Sequence, residues 1–175
     1  MTLRIAPTGE LSAAELAALK RLSESAFGHP FNEDWDHALG GVHFFVEDDD
    51  GPVSHASVVE RQIEIAGRRL RTGYVEAVGT RPDRRRRGLA GRVMRAASEY
   101  IIGGFELGAL STGENGFYEQ LGWETWRGPT YVRTDEGVER TDEEDGTIMI
   151  LRAASTPTID LAGPISCEWR PGDVW

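Results

Sequence analysis

A chain of 175 residues, 39% hydrophobic and 27% charged, is long enough to bury a core of its own and too apolar to stay disordered. One cysteine excludes an internal disulfide framework or a Cys-based zinc site, and the four histidines lack the HExxH spacing, so no metal is expected. The net charge of −10 conceals a split: residues 81–95 (RPDRRRRGLAGRVMR) hold seven arginines against one aspartate, a surplus of six, leaving −16 on the other 160 residues.

The start, MTLRIAPTGELSAAE, has neither the basic nor the apolar segment of a leader, and no run of eighteen apolar residues follows, so a cytoplasmic protein without a membrane partner is expected. Ser12 and Glu15 have the spacing of a capping box, and Leu16, Leu19, Leu22, Ala26 and Phe27 recur at helical intervals behind them, which predicts a helix over 12–27. A short helix over 32–39 is stopped by Gly40 and Gly41. Residues 42–46 (VHFFV) read as a strand, 48–52 (DDDGP) as a hairpin tip, and 55–65 as the returning strand. After a turn at 67–69 comes a β-rich run over 70–80, then a helix over about 87–102 whose apolar side is Leu89, Val93, Ala96, Ala97 and Ile101. Residues 105–110 read as a short buried strand, 115–121 as a helix stopped by Gly122, and 131–133 and 147–151 as late strands on either side of an acidic loop at 135–145. Cys167 is expected to be buried and inert. With no repeat and no Pro-, Gly- or Ser-rich linker, the pattern predicts one domain over 1–175, α+β or mixed α/β with a partly parallel sheet.

The junction between the strand YVEAVGT and the following helix carries the chemistry. Small residues and arginines surround a helix N-terminus, where outward-pointing amides and the positive end of the helix dipole suit a phosphate. Neither GK[ST] nor GxGxxG is present, which excludes a Walker loop and a dinucleotide fingerprint. The run Arg85-Arg86-Arg87-Gly88-Leu89-Ala90 matches [RQ]xxGx[GA], and with Phe117-Tyr-Glu-Gln-Leu-Gly-Trp123 downstream it resembles the coenzyme A signature of the GNAT N-acetyltransferases. GYVEAV, the LGALS of 107–111, Asp34-Trp35, Leu39-Gly-Gly41 and the ending CEWRPGDVW further resemble the aminoglycoside 2′-N-acetyltransferase branch, from about residue 30 to the end.

The resemblance implies a GNAT fold: a mixed, largely antiparallel central sheet flanked by helices, with a splay between two central parallel strands. It implies acetyl-CoA as cosubstrate, its pyrophosphate on Arg85, Arg86, Arg87, Gly88, Leu89 and Ala90 and its pantetheine arm along Val78, Gly79 and Thr80. Glu76 would act as general base through a water, and Tyr118 as general acid. Asp34, Glu76, Ala77, Ser111, Glu143, Glu144, Asp173 and Trp175 would contact a polycationic amino sugar, Trp175 through its indole and its terminal carboxylate. A homodimer is expected by the same route. The acidic balance outside 81–95 speaks against a nucleic-acid partner. Two other readings stay open: an acetyltransferase for a different small cationic amine, and a non-catalytic acetyl-CoA binder.

Overall fold

The computed structural model describes residues 1–175 and opens on a strand that the apolar pattern does not announce, β1 (Thr2–Pro7). TLRIAP alternates too weakly to signal a buried face; β1 forms because it pairs antiparallel along β2 (Val42–Asp48), from Thr2↔Glu47 to Pro7↔Val42. Between them α1 (Ala13–Phe27) begins on the expected capping box. The Ser12 hydroxyl accepts from the Glu15 amide at 3.3 Å, and the Glu15 carboxylate accepts from the Ser12 amide at 2.8 Å. Gly28, at φ +77°, ends the helix. A short α2 (Glu33–Ala38) follows, buried through Trp35 and Ala38.

β3 (Gly51–Ile65) and β4 (Arg68–Thr80) are longer than the apolar pattern predicts and turn over Ala66 and Gly67, both with positive φ. A 3-10 turn (Pro82–Arg84) leads to α3 (Leu89–Gly104), β5 (Leu107–Ser111), α4 (Asn115–Glu119) and the two-residue β6 (Glu124–Thr125). The acidic segment at 135–145 is not simply a loop. It holds β8 (Gly137–Arg140), paired with β7 (Thr130–Thr134), and a 3-10 turn (Asp142–Glu144). All four residues of β8 are exposed, so no buried face imposes the alternation that would have revealed it. β9 (Ile148–Arg152) and β10 (Ile165–Glu168) complete the chain.

The chain divides into two compact parts, residues 1–59 with 75–99, and residues 60–74 with 100–175. In the first, β1, β2 and β3 form antiparallel ladders, and Leu11, Leu19, Phe31, Trp35, Ala38, Phe45 and Ala77 make one apolar cluster. Leu19 and Leu22 fix the inner face of α1, each burial contributing about 1.5–3 kcal/mol. In the second, the strand order is β6-β9-β5-β4-β3-β10-β7-β8. β4–β5 and β7–β10 are parallel, whereas β5–β9, β6–β9, β3–β10 and β7–β8 are antiparallel. Trp126, Tyr74, Ile63, Leu70, Leu107, Leu110 and Ile148 are fully buried in this part. The β4–β5 ladder runs from Thr72↔Leu107 to Tyr74↔Ala109 and stops, while β4 continues to Thr80 and β5 to Ser111. The sheet is mixed and mostly antiparallel, as the resemblance implied.

Candidate active site

In the first part, the site is built on the last residues of β4. Glu76 and Val78 are half-buried, and Ala77 between them is buried at φ +53°. A left-handed non-glycine residue inside a strand costs on the order of 1–3 kcal/mol and persists only where its surroundings hold it. Here the Ala77 side chain joins the apolar cluster that also seats α2, so the strand of Glu76 and the helix of half-buried Asp34 rest on one core. The Ala77 carbonyl accepts from His55 Nδ1 at 3.0 Å.

Gly79 is dictated by packing. A Cβ there would lie 2.9 Å from the Ala26 Cβ of α1. Its carbonyl accepts from the Ser54 hydroxyl at 3.2 Å, and that hydroxyl also lies 2.8 Å from the Thr80 hydroxyl. One of the backbone groups expected along a pantetheine arm, the Gly79 carbonyl, therefore already has a protein partner.

The arginines that follow are not equivalent. Arg81 is paired on Asp83 at 2.7 Å, and Arg84 on Asp83 at 2.6 Å and Asp48 at 3.1 Å. Asp48 and Asp50, at the hairpin tip, thus neutralise part of the basic island, a use their sequence context did not reveal. An amide hydrogen bond from Asp50, with Arg84 beside it, holds the Asp48 carboxyl below the usual range. Arg85 donates to the Ala26 carbonyl at 2.6 Å and the Thr80 carbonyl at 3.4 Å. Arg86 and Arg87 are exposed and engage no carboxylate. Arg86 (φ +58°) and Gly88 (φ +73°) both turn left-handed, and the Gly88 carbonyl accepts the first helical bond, from the Arg92 amide at 3.0 Å. Helix geometry leaves the amides of Leu89, Ala90 and Gly91 without intrahelical acceptors, at the positive end of the helix dipole, which suits an anion.

In the second part, Tyr118 is buried on α4 beside the rings of Phe117 and Trp123, at 4.9 and 6.4 Å. Burial pushes its phenol up to about 12 despite a hydrogen bond with Thr112, so it stays protonated at neutral pH. Ser111, Glu144 and Thr147 come together: the Ser111 hydroxyl lies 3.2 Å from both Glu144 Oε2 and the Thr147 hydroxyl, which donates to Glu144 Oε2 at 2.8 Å. Glu143 is exposed beside them. The Trp175 indole is 2% exposed and donates to the Thr141 hydroxyl at 3.0 Å, the Trp175 amide donates to Asp173 Oδ1 at 3.1 Å, and Arg170 donates to the Trp175 backbone oxygen at 3.0 Å. Cys167 lies buried against the Val174 carbonyl, its thiol pushed up to about 11 by burial.

A model of the acetyltransferase (GNAT) domain matches residues 9–126. The chain belongs to the GNAT acetyltransferase family. An aminoglycoside 2′-N-acetyltransferase of Mycolicibacterium fortuitum is 39% identical over 179 residues, 99% of this GNAT chain and 92% of that protein. A GNAT N-acetyltransferase from Escherichia coli, solved with CoA, has the same fold at a TM-score of 0.68 and 13% identity, over 95% of this chain and 88% of that one. A GCN5-related N-acetyltransferase from Kribbella flavida matches at 25% identity and a TM-score of 0.60 over 73% of this chain, which spans only 35% of that longer protein.

No group of His, Cys, Asp and Glu in this acetyltransferase is arranged to hold a metal ion, and no helix is long and apolar enough to cross a membrane. What motif reading missed entirely is the histidine behind Ala77. His55 sits in a run of small and β-branched residues, where a lone histidine carries no pattern.

Proposed function

We propose that this chain transfers the acetyl group of acetyl-CoA to the 2′-amino group of aminoglycosides. The observation that carries the reading is the similarity to the M. fortuitum enzyme, which extends over nearly the full length of both chains. The local chemistry agrees with it. Left-handed Arg86 and Gly88, the α3 N-terminus and the unpaired charges of Arg86 and Arg87 make a donor set that fits a pyrophosphate.

In this reading Glu76 removes a proton from the bound ammonium through a water, so that the amine is nucleophilic. The Val78 amide donates to the thioester carbonyl as the C–N bond forms and the C–S bond breaks. Tyr118, whose phenol is protonated, gives its proton to the departing sulfur. Asp34, Glu143, Glu144 with Ser111, and Asp173 supply negative charge for the remaining ammoniums, in a chain of net charge −10. The buried indole of Trp175 is assigned to packing, not to sugar contact. The reading carries a single acetyltransferase domain over 1–175, a cytoplasmic setting and a homodimer, with neither nucleic acid nor membrane as partner.

Incubation with acetyl-CoA and tobramycin, following thiol release and locating the acetyl group by mass spectrometry and NMR, tests the proposal. One acetyl group on the 2′-nitrogen is expected, and an aminoglycoside with a hydroxyl at that position should give no product. Thiol release only with a simpler amino sugar would replace the substrate assignment; none with any amine would replace the activity.

A further inference from the structure

Behind the reacting end of β4 lies a buried hydrogen-bonded string that no motif singles out. Gly40 N donates to Thr8 Oγ1 at 3.0 Å, Thr8 Oγ1 lies 2.9 Å from His43 Nε2, His43 Nδ1 lies 2.9 Å from His55 Nε2, and His55 Nδ1 lies 3.0 Å from the Ala77 carbonyl. Both imidazoles are fully buried, and Trp35 packs against each at 5.9 Å.

The string has one direction. A carbonyl only accepts, so His55 Nδ1 carries the hydrogen and donates to Ala77. A neutral His55 then offers Nε2 as an acceptor, so His43 Nδ1 donates to it. His43 Nε2 becomes the acceptor for the Thr8 hydroxyl, whose oxygen takes the Gly40 amide. The Gly41 carbonyl, at 3.2 Å from the same hydroxyl, competes from a longer distance for its single hydrogen. Burial holds both rings well below the ordinary histidine range, His43 at about 4 and His55 at about 3, in keeping with two neutral rings. A pair serving only to fill the core would have no need to end on the one left-handed residue of β4, next to Glu76.

We propose that the His43–His55 pair positions Glu76, by holding the Ala77 carbonyl and thereby the left-handed turn of β4 that sets where the Glu76 side chain projects. The proposal rests on Glu76 being the base. The histidines touch no reacting atom and act through the backbone of Ala77.

Four variants of the protein test it: H55L, H55N, E76Q and H55L/E76Q. The amide nitrogen of Asn occupies nearly the place of His Nδ1, so H55N keeps the donor to Ala77 and H55L removes it. H55L should lower kcat at least tenfold with the KM for acetyl-CoA within about threefold of wild type, and H55N should restore kcat to within about threefold. In the E76Q background H55L should add less than twofold, because the group it positions is already disabled. Wild-type kcat in H55L, equal losses in H55L and H55N, or independent losses in the double variant would overturn the positioning role. Wild-type turnover in E76Q would overturn the base assignment, which is a separate result. A measurement on the unsubstituted protein stands beside these: imidazole nitrogen NMR should find both rings neutral and hydrogenated at Nδ1, and an Nε2-hydrogenated His55 would overturn the proposal.

Discussion

Mild acid should destabilise this protein through the same two histidines. In the unfolded chain each imidazole takes up a proton as pH falls below about 6.5, whereas in the folded protein burial delays this until about pH 4 for His43 and about pH 3 for His55. A folded-state value below the unfolded one means that the unfolded state binds more protons between them. Stability is therefore complete above the unfolded value and declines as pH falls. The slope approaches roughly 1.4 kcal/mol per pH unit for each ring, and integration from pH 7 to 5 gives about 1.9 kcal/mol per ring, or roughly 3–4 kcal/mol for the pair. For a chain of this size that is a fall in Tm of about 7–15 °C. Carboxylates do not confuse this window. The Ser12 hydrogen bonds hold Glu15 to about 2, and arginine partners hold Asp83 and Asp145 to about 2, so their stabilisation lies above their unfolded values near 4 and is lost only in stronger acid. Thermal melts at pH 7, 6 and 5 measure the effect, and H55L should lose about half of the slope. A wild-type Tm constant to within 2–3 °C, or an undiminished slope in H55L, would refute the reasoning.

Y118F should lower kcat on the order of a hundredfold with acetyl-CoA binding nearly intact, and the wild-type profile should show no alkaline limb from Tyr118 below about pH 10, since burial raises this phenol; wild-type turnover in Y118F would remove the acid role. G79A forces a Cβ to 2.9 Å from that of Ala26, so α1 or β4 must give way, and a loss of about 1–3 kcal/mol should appear in denaturant melts. W175F breaks the indole bond to Thr141 and should cost about 1 kcal/mol with the amine KM unchanged; a rise in that KM without a change in stability would return the indole to the substrate side.

Local signals made the first helix, the hairpin tip at 48–52 and the strand-to-helix junction at 80–89 legible in the sequence, because in each a short-range device fixes the structure. The capping box at Ser12 is one, and the left-handed glycine at Gly88 is another. β1 and β10 escaped because pairing partners far along the chain define them, and β8, in a hairpin with β7, escaped because it has no buried face. The histidine pair escaped for a subtler reason. A regular hairpin through 48–51 would keep the offset of Glu47↔Pro52 and set Phe44 opposite His55, leaving His43 and His55 on opposite faces. The ladder instead shifts between Val46 and Glu47, with Val53 as the extra residue, so that Phe45 meets His55 and His43 meets Ser57. One bulged residue brings the two rings to the same side, and composition contains no sign of it. The division among the arginines was hidden likewise, because Asp48 reaches Arg84 only through the folded hairpin.

That division bears on how the two proposed substrates would respond to ionic strength. Arg81 and Arg84 are neutralised within the protein, Arg85 is committed to backbone carbonyls, and Arg92 donates to the Met1 carbonyl. An anion at the start of α3 therefore meets three guanidiniums that pair with no carboxylate, Arg86, Arg87 and Arg95, the last lying against Gly91, along with backbone amides whose attraction acts only at contact. A polycation approaching a chain of net charge −10 feels a field that extends over a Debye length and collapses as salt is added. Added salt should accordingly raise the KM of the amine more than that of the acyl donor, for which screening weakens the attraction of the local arginines and the repulsion of the rest of the chain together.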